Sequence, residues 1–252
     1  MAGRARPALL KSMSDIAERL QEIHGRLAAA AQRSGRRPED VALLAVSKTF
    51  PPDLIEEAAR AGQRLFGESR AQECLEKVAM LPPQLHWHFI GHLQTNKVKQ
   101  IAPFVYLIHG VDSEKLLQEI NKQALKYNRV IDCLLQIHIA SEETKFGFDE
   151  NTLAEFIKSN RLHSFTNIRI RGLMGMATFT EDQNVIQQEF KTLYTIYENT
   201  KSVLNESITL NNIHFDILSM GMSSDYKIAI KEGSTMVRIG SLLFGARNYN
   251  KA

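Results

Sequence analysis

Eight short apolar runs, with helical stretches between most of them, restrict this chain more than any other feature. The runs are Val41–Ser47, Arg64–Gly67, His86–Gly91, Val105–His109, Val130–Ile139, Ile168–Met174, His214–Ser219 and Met236–Gly240. Helical patterns fall at Pro52–Ala61, Arg70–Met80, Gln94–Ile101, Ser113–Tyr127, Glu150–Ser159, Asn184–Leu204 and Ser224–Lys231. A near-continuous apolar run of this length reads as a strand buried on both faces, and strands alternating with helices read as a parallel sheet. A further helix is predicted before the first run, from Ser14 to Gln32, with Ile16, Leu20, Ile23 and Leu27 on its apolar face. Eight strand signals fit an α/β fold, a (β/α)8 TIM barrel with an extra N-terminal helix. A doubly wound open sheet remains the alternative, because sequence does not reveal strand order. At 252 residues the chain matches one barrel domain spanning 1–252, with residues 1–12 expected to fray.

Composition narrows the function. A net charge of +3 is too small for a nucleic-acid scaffold, yet it does not repel a phosphorylated small molecule. Cys74 and Cys133 have neither metal-ligand nor CxxC spacing, which favours a reduced, cytoplasmic protein. No apolar run approaches the ~20 residues a membrane helix needs, and the basic start has no signal-peptide core.

Lys48 ends the first run, after Val41-Ala42-Leu43-Leu44-Ala45-Val46-Ser47. Barrel chemistry sits at strand C-terminal ends, and an amine held there in a partly dry pocket has a lowered pKa and attacks aldehydes. A lysine simply leaving for solvent is the plainer reading of that strand alone. Near the other end of the chain, Ser219-Met220-Gly221-Met222-Ser223-Ser224-Asp225 links a strand to a helix with small residues and hydroxyls suited to an anion. Ser223, Ser224 or Asp225 would equally serve as an ordinary helix cap. Gly240-Ser241, after the last strand, offers a second donor pair, and barrel phosphate sites form at these two loops. If Met236, Arg238 and Gly240 point inward, a permanent guanidinium lies inside the barrel, either in an ion pair or as a donor to a ligand.

Other stretches carry weaker signals. Phe66-Gly67-Glu68-Ser69 ends the second run in a polar loop, and Gln72 and Glu73 come next. His88 and His92 lie in Trp87-His88-Phe89-Ile90-Gly91-His92-Leu93-Gln94 without a carboxylate or cysteine to complete a metal set, so hydrogen bonding is expected and no metal. Lys145 lies in a loop after the fifth run, and Met174 and Met176 suit core packing or a ligand's apolar face.

Together, Ala45-Val46-Ser47-Lys48-Thr49, Phe66-Gly67-Glu68, Trp87–Gln94, Ser219–Ser223 and Val237-Arg238-Ile239-Gly240 resemble the pyridoxal-phosphate homeostasis protein family. The resemblance runs from about Val41 to Tyr249. It implies the barrel of the alanine racemase N-terminal domain (fold-type III) and the cofactor pyridoxal 5'-phosphate (PLP). Lys48 would form the Schiff base and Arg238 would face the pyridine nitrogen. Ser219, Gly240 and Ser241, with Gly221 and Ser223, would hold the phosphate, while His88 and Met174 would line the pocket. The family usually has Asn where this chain has Ser69, whose shorter side chain weakens any contact with the cofactor.

The implied function is non-catalytic: carrying PLP and maintaining its intracellular level, with apo PLP-dependent enzymes as acceptors and a monomeric state. An Arg at the ring nitrogen leaves the ring largely unprotonated and a poor electron sink, which discourages carbanion chemistry. The alternative is an amino-acid racemase using Lys48 as one base. Its second base would have to come from Tyr226 or Tyr249, neither of which matches a known role.

Overall fold

The computed structural model describes residues 6–141, 146–206 and 212–246. Within them, strands β1 (Ala42–Val46), β2 (Leu65–Glu68), β3 (His86–Phe89), β4 (Leu107–Val111), β5 (Ile131–Gln136), β6 (Ile168–Met174), β7 (Ile213–Met222) and β8 (Met236–Ile239) close into a barrel in chain order. All neighbours are parallel. The seam is closed by β1 on β8, with Leu44 opposite Arg238, which rules out the open sheet.

The outer shell is built from α1 (Arg6–Arg33), α2 (Pro52–Arg60), α3 (Ala71–Met80), α4 (Val98–Ile101), α5 (Glu114–Lys126), α6 (Glu150–Lys158), α7 (Gln183–Glu206), α8 (Tyr226–Lys231) and α9 (Ser241–Phe244). Side chains alternate across each strand, so one parity meets the helices and the other fills the barrel. Leu43, Ala45, Trp87, Val237 and Ile239 pack outward with Ile16, Leu20, Ile23 and Leu27 of α1, which covers the seam. Leu107, Leu134 and Met174 form an inner cluster. At the N-terminal ends of the strands, buried Asp132 accepts hydrogen bonds from Arg169 (2.7 Å) and Arg171 (2.7 Å).

Several boundaries differ from the sequence expectation. The first helix begins at Arg6 instead of Ser14, because Pro7 is tolerated in a first turn and Ala8, Leu9, Leu10 and Lys11 favour helix. Part of the 1–12 segment expected to fray is therefore helical, and 1–5 lies outside the described residues. The Gln94–Ile101 segment splits into a 3-10 turn (Thr95–Lys97) and the single turn of α4. The fifth strand stops at Gln136, after which Ile137 bridges to Phe148. The seventh runs three residues past Ser219, placing Gly221 in the strand at φ +93°. A Cβ there would lie 2.5 Å from that of Ala229, so glycine lets α8 pack closely.

Gly172 has a stricter requirement. Its φ is +141° at a register shift between β6 and β7, and a Cβ would fall 1.8 Å from the Ile217 carbonyl oxygen. Gly172→Ala is expected to destabilise the fold by about 3 kcal/mol or more, combining backbone strain with overpacking. Urea denaturation of the two proteins measures the difference.

Candidate functional site

A cavity of about 500 Å³ opens at the C-terminal end of the barrel. Its walls are Val46, Lys48, Ile90, Met176, Phe179, Met222, Ser223, Ser224, Arg238, Gly240 and Ser241. The volume falls in the range of small-molecule sites, and the lining is largely apolar with a few polar groups at fixed points.

Each polar group has a local cause. Leu44 and Val46 point inward, and the same alternation carries half-buried Lys48 to the cavity wall. On β8, Val237 and Ile239 take the outer face, which turns Arg238 inward. Ser223 and Ser224 come directly after β7, and Ser241 starts α9. The two turns are joined: the Gly240 amide donates to Ser223 Oγ at 3.3 Å. Asp225 precedes α8, but its carboxylate reaches back to accept the Met222 amide at 2.6 Å. The Ser223 and Ser224 hydroxyls thus line the cavity without capping that helix.

Arg238 is only 5% exposed and, among the described residues, makes no ordinary ion pair. It donates to the Ser219 carbonyl (2.9 Å), Ser219 Oγ (2.8 Å) and the Gly175 carbonyl (3.0 Å). Burial lowers its pKa to about 10, and Asp225 partly opposes the shift, so it stays charged at neutral pH. A guanidinium can only donate, so the Ser219 hydroxyl and both carbonyls accept from it. Ser219 Oγ also pairs with His109 Nδ1 (3.1 Å). His109 Nε2 pairs in turn with His88 Nδ1 (3.0 Å), and His88 Nε2 has no partner among the described residues. Burial holds both rings neutral, pushing His88 down to about 3 and His109 well below its usual value.

Seven of the residues singled out in the sequence meet in this cavity: Lys48, Met176, Ser223, Ser224, Arg238, Gly240 and Ser241. The others are displaced from its wall. Ser219 is fully buried beneath Arg238, so its hydroxyl serves the guanidinium and not an open phosphate site. His88 lies deeper still, Gly221 packs against α8, and Met174 belongs to the inner core. Ser69 lines a neighbouring cavity of about 370 Å³ with Arg70, Gln72, His92, Gln94 and Lys97. His92 stacks on Phe146 at 3.8 Å and bonds Asp112 at 3.0 Å. Among the described residues no His, Cys, Asp or Glu cluster suits a metal ion. Lys145 and Tyr249 lie outside the described residues.

Sequence reasoning missed His109, which sits mid-strand with no motif around it. It also missed Phe179, an isolated loop aromatic that is 95% exposed at the rim.

Comparison with known proteins places this geometry. The family described as "Alanine racemase, N-terminal domain" matches residues 19–248. A pyridoxal phosphate homeostasis protein of Aquifex aeolicus is 40% identical over 92% of this chain and 98% of its own length. The chain belongs to the pyridoxal phosphate homeostasis protein family. PipY of Synechococcus elongatus PCC7942, solved with PLP bound, is 35% identical, with a TM-score of 0.75 over 91% of this chain and 100% of that one. An alanine racemase from Streptomyces coelicolor shares the fold alone, at 12% identity and a TM-score of 0.66, over 93% of this chain and 58% of that one. No helix among the described residues is long and apolar enough to cross a membrane.

For this family member the histidine pair sets a pH dependence. The unfolded chain protonates His88 and His109 near pH 6.5 while the folded chain resists. Their contribution to stability is therefore complete above about pH 6.5 and is lost as pH falls toward about 3. His109→Gln should make the fall of unfolding free energy between pH 6 and pH 4 shallower by about 1.4 kcal/mol per pH unit, one proton's share. Urea titrations at stepped pH measure both slopes.

Proposed function

We propose that this chain binds PLP through its C-terminal cavity and holds it for release to apo-enzymes, keeping the free cofactor low. The observation that carries this reading is the order of groups around one cavity: an amine, an apolar wall, a guanidinium and a set of hydroxyls. The donor set suits an aldehyde-bearing aromatic phosphate. When bound, PLP supplies an aldehyde carbon that captures a primary amine as a Schiff base.

In this reading Lys48 is that amine, Val46, Ile90, Met176 and Met222 flank the ring, and Ser223, Ser224, Gly240 and Ser241 face the phosphate. Arg238 stands toward the ring nitrogen. Ser219, His109 and His88 orient Arg238 from below, Met174 firms the floor, and Gly221 shapes the turn. Ser69 faces the adjacent cavity. The name of the Aquifex relative and the PLP bound in PipY support both ligand and role.

We read the protein as a carrier because Lys48 and Arg238 are the only ionisable side chains among the described residues that line the cavity. Racemisation needs an acid or base on each face of the reacting carbon, and Arg238 is already committed as a donor to Ser219 and the Gly175 carbonyl. Tyr226 packs in the core beneath α1, away from the cavity. A monomer in the cytoplasm fits two buried, free cysteines.

Borohydride reduction of the PLP-loaded protein, followed by peptide mapping, should place the cofactor's mass on Lys48, and Lys48→Ala should lose it. A label that persists elsewhere in Lys48→Ala overturns the assignment. Ser223→Ala should weaken PLP binding about 10-fold or more, as expected for a hydrogen bond to a charged group. Delivery of PLP to an apo-enzyme supports the carrier, whereas robust turnover of an L-amino acid to its D form on chiral analysis would establish the racemase in its place.

A further inference from the structure

Ser47 and Thr49, on either side of Lys48, are both gripped by one ionic cluster, with Lys77 and Glu68 buried and Glu73 half-buried. Ser47 points out of the barrel, where α3 covers it. Lys77 of α3 donates from Nζ to the Ser47 carbonyl (2.8 Å), Glu68 Oε1 (2.8 Å) and Glu73 Oε1 (2.7 Å). Ser47 Oγ donates to Glu68 Oε1 at 2.6 Å. The Thr49 amide donates to the same Glu73 oxygen at 2.6 Å. All three ammonium protons are used, and the residues before and after Lys48 end on linked acceptors.

Two features make this more than an ordinary ion pair. Thr49 is a β-branched residue at φ +69°, a left-handed conformation that costs about 1–3 kcal/mol and persists only where its surroundings enforce it. Lys77 and Glu68 are 4% and 0% exposed, and burying charges costs several kcal/mol per ion. A well-packed apolar pair would often serve stability as well or better. Strain and buried charge converge on the exit of β1, where the chain must turn outward while Lys48 stays inward.

We infer that Lys77, Glu68 and Glu73 act as positioning residues for Lys48, fixing the strand exit so that the amine enters the cavity. The inference rests on Lys48 being the PLP-capturing amine. The cluster holds the Ser47 carbonyl and hydroxyl and the Thr49 amide, so its action reaches Lys48 through the backbone.

The test uses the full chain with Glu73→Ala, Glu73→Gln and a control, Glu76→Ala, whose exposed carboxylate accepts from Gln72. Three readouts are needed: amide hydrogen exchange at Thr49 without cofactor, acylation of Lys48 by acetic anhydride without cofactor, and the rate of covalent PLP capture. Glu73→Ala should exchange about 10- to 100-fold faster at Thr49, alter Lys48 acylation and capture PLP about 10-fold more slowly. Glu73→Gln keeps an oxygen for the Thr49 amide and should restore all three, while Glu76→Ala should match the parent. Lys77→Met should exceed Glu73→Ala if it folds, and if it does not, the Glu73 pair decides alone. Faster Thr49 exchange in Glu73→Ala with unchanged acylation and capture would show that the cluster only stabilises the fold, as would no change in exchange. If PLP labels another lysine in the parent protein, the reading of Lys48 fails, yet exchange and acylation still report whether the cluster positions it.

Discussion

A charged guanidinium inside a closed barrel must be satisfied without leaving it, and Arg238 meets that requirement with neutral partners. Two carbonyls and a hydroxyl absorb its donors, drawn from β7 and from the residue after β6. Because none of them is a carboxylate, much of its positive charge remains to act upward on whatever occupies the cavity. The polar layer beneath is a consequence of that charge. Ser219 must accept from Arg238 and also pairs with His109, and His88 completes the line. Neutral rings are the only form compatible with that buried position beside a cation.

The barrel wall separates two polar systems. On its inside, Arg238 and its line of neutral partners set the charge of the cavity floor. On its outside, the Lys77 cluster sets the course of the backbone at the end of β1. Lys48 is where they meet, its side chain on one side of the wall and its peptide neighbours tied on the other. Apolar side chains fill most of the remaining wall, which keeps water from screening either system.

The architecture was legible because parallel strands covered on both faces leave near-continuous apolar runs, of which Val41–Ser47 is the clearest. Arg238 was legible through simple alternation with Val237 and Ile239. Ser219 misled because small residues near a strand end look alike whether they face a ligand or a neighbouring side chain. The extension of β7 through Met222 put it below the rim. His109 and Lys77 were not legible at all. Their roles exist only after the sheet closes and α3 docks, and a lysine on an amphipathic helix reads as solvated until its three acceptors are known. Closure itself, β1 on β8, is a statement about order that composition and period do not contain.

That seam has a temporal consequence. Lys48 comes just after the first strand and Arg238 lies in the last, and they share a cavity only once those strands pair. Contacts between such distant parts of a chain form late and slowly. A chain emerging from the ribosome would carry Lys48 for almost the whole of synthesis before the guanidinium and both hydroxyl-bearing turns exist to accompany it. The complete cavity is thus a property of the finished molecule alone, and partial chains lack the assembled pocket.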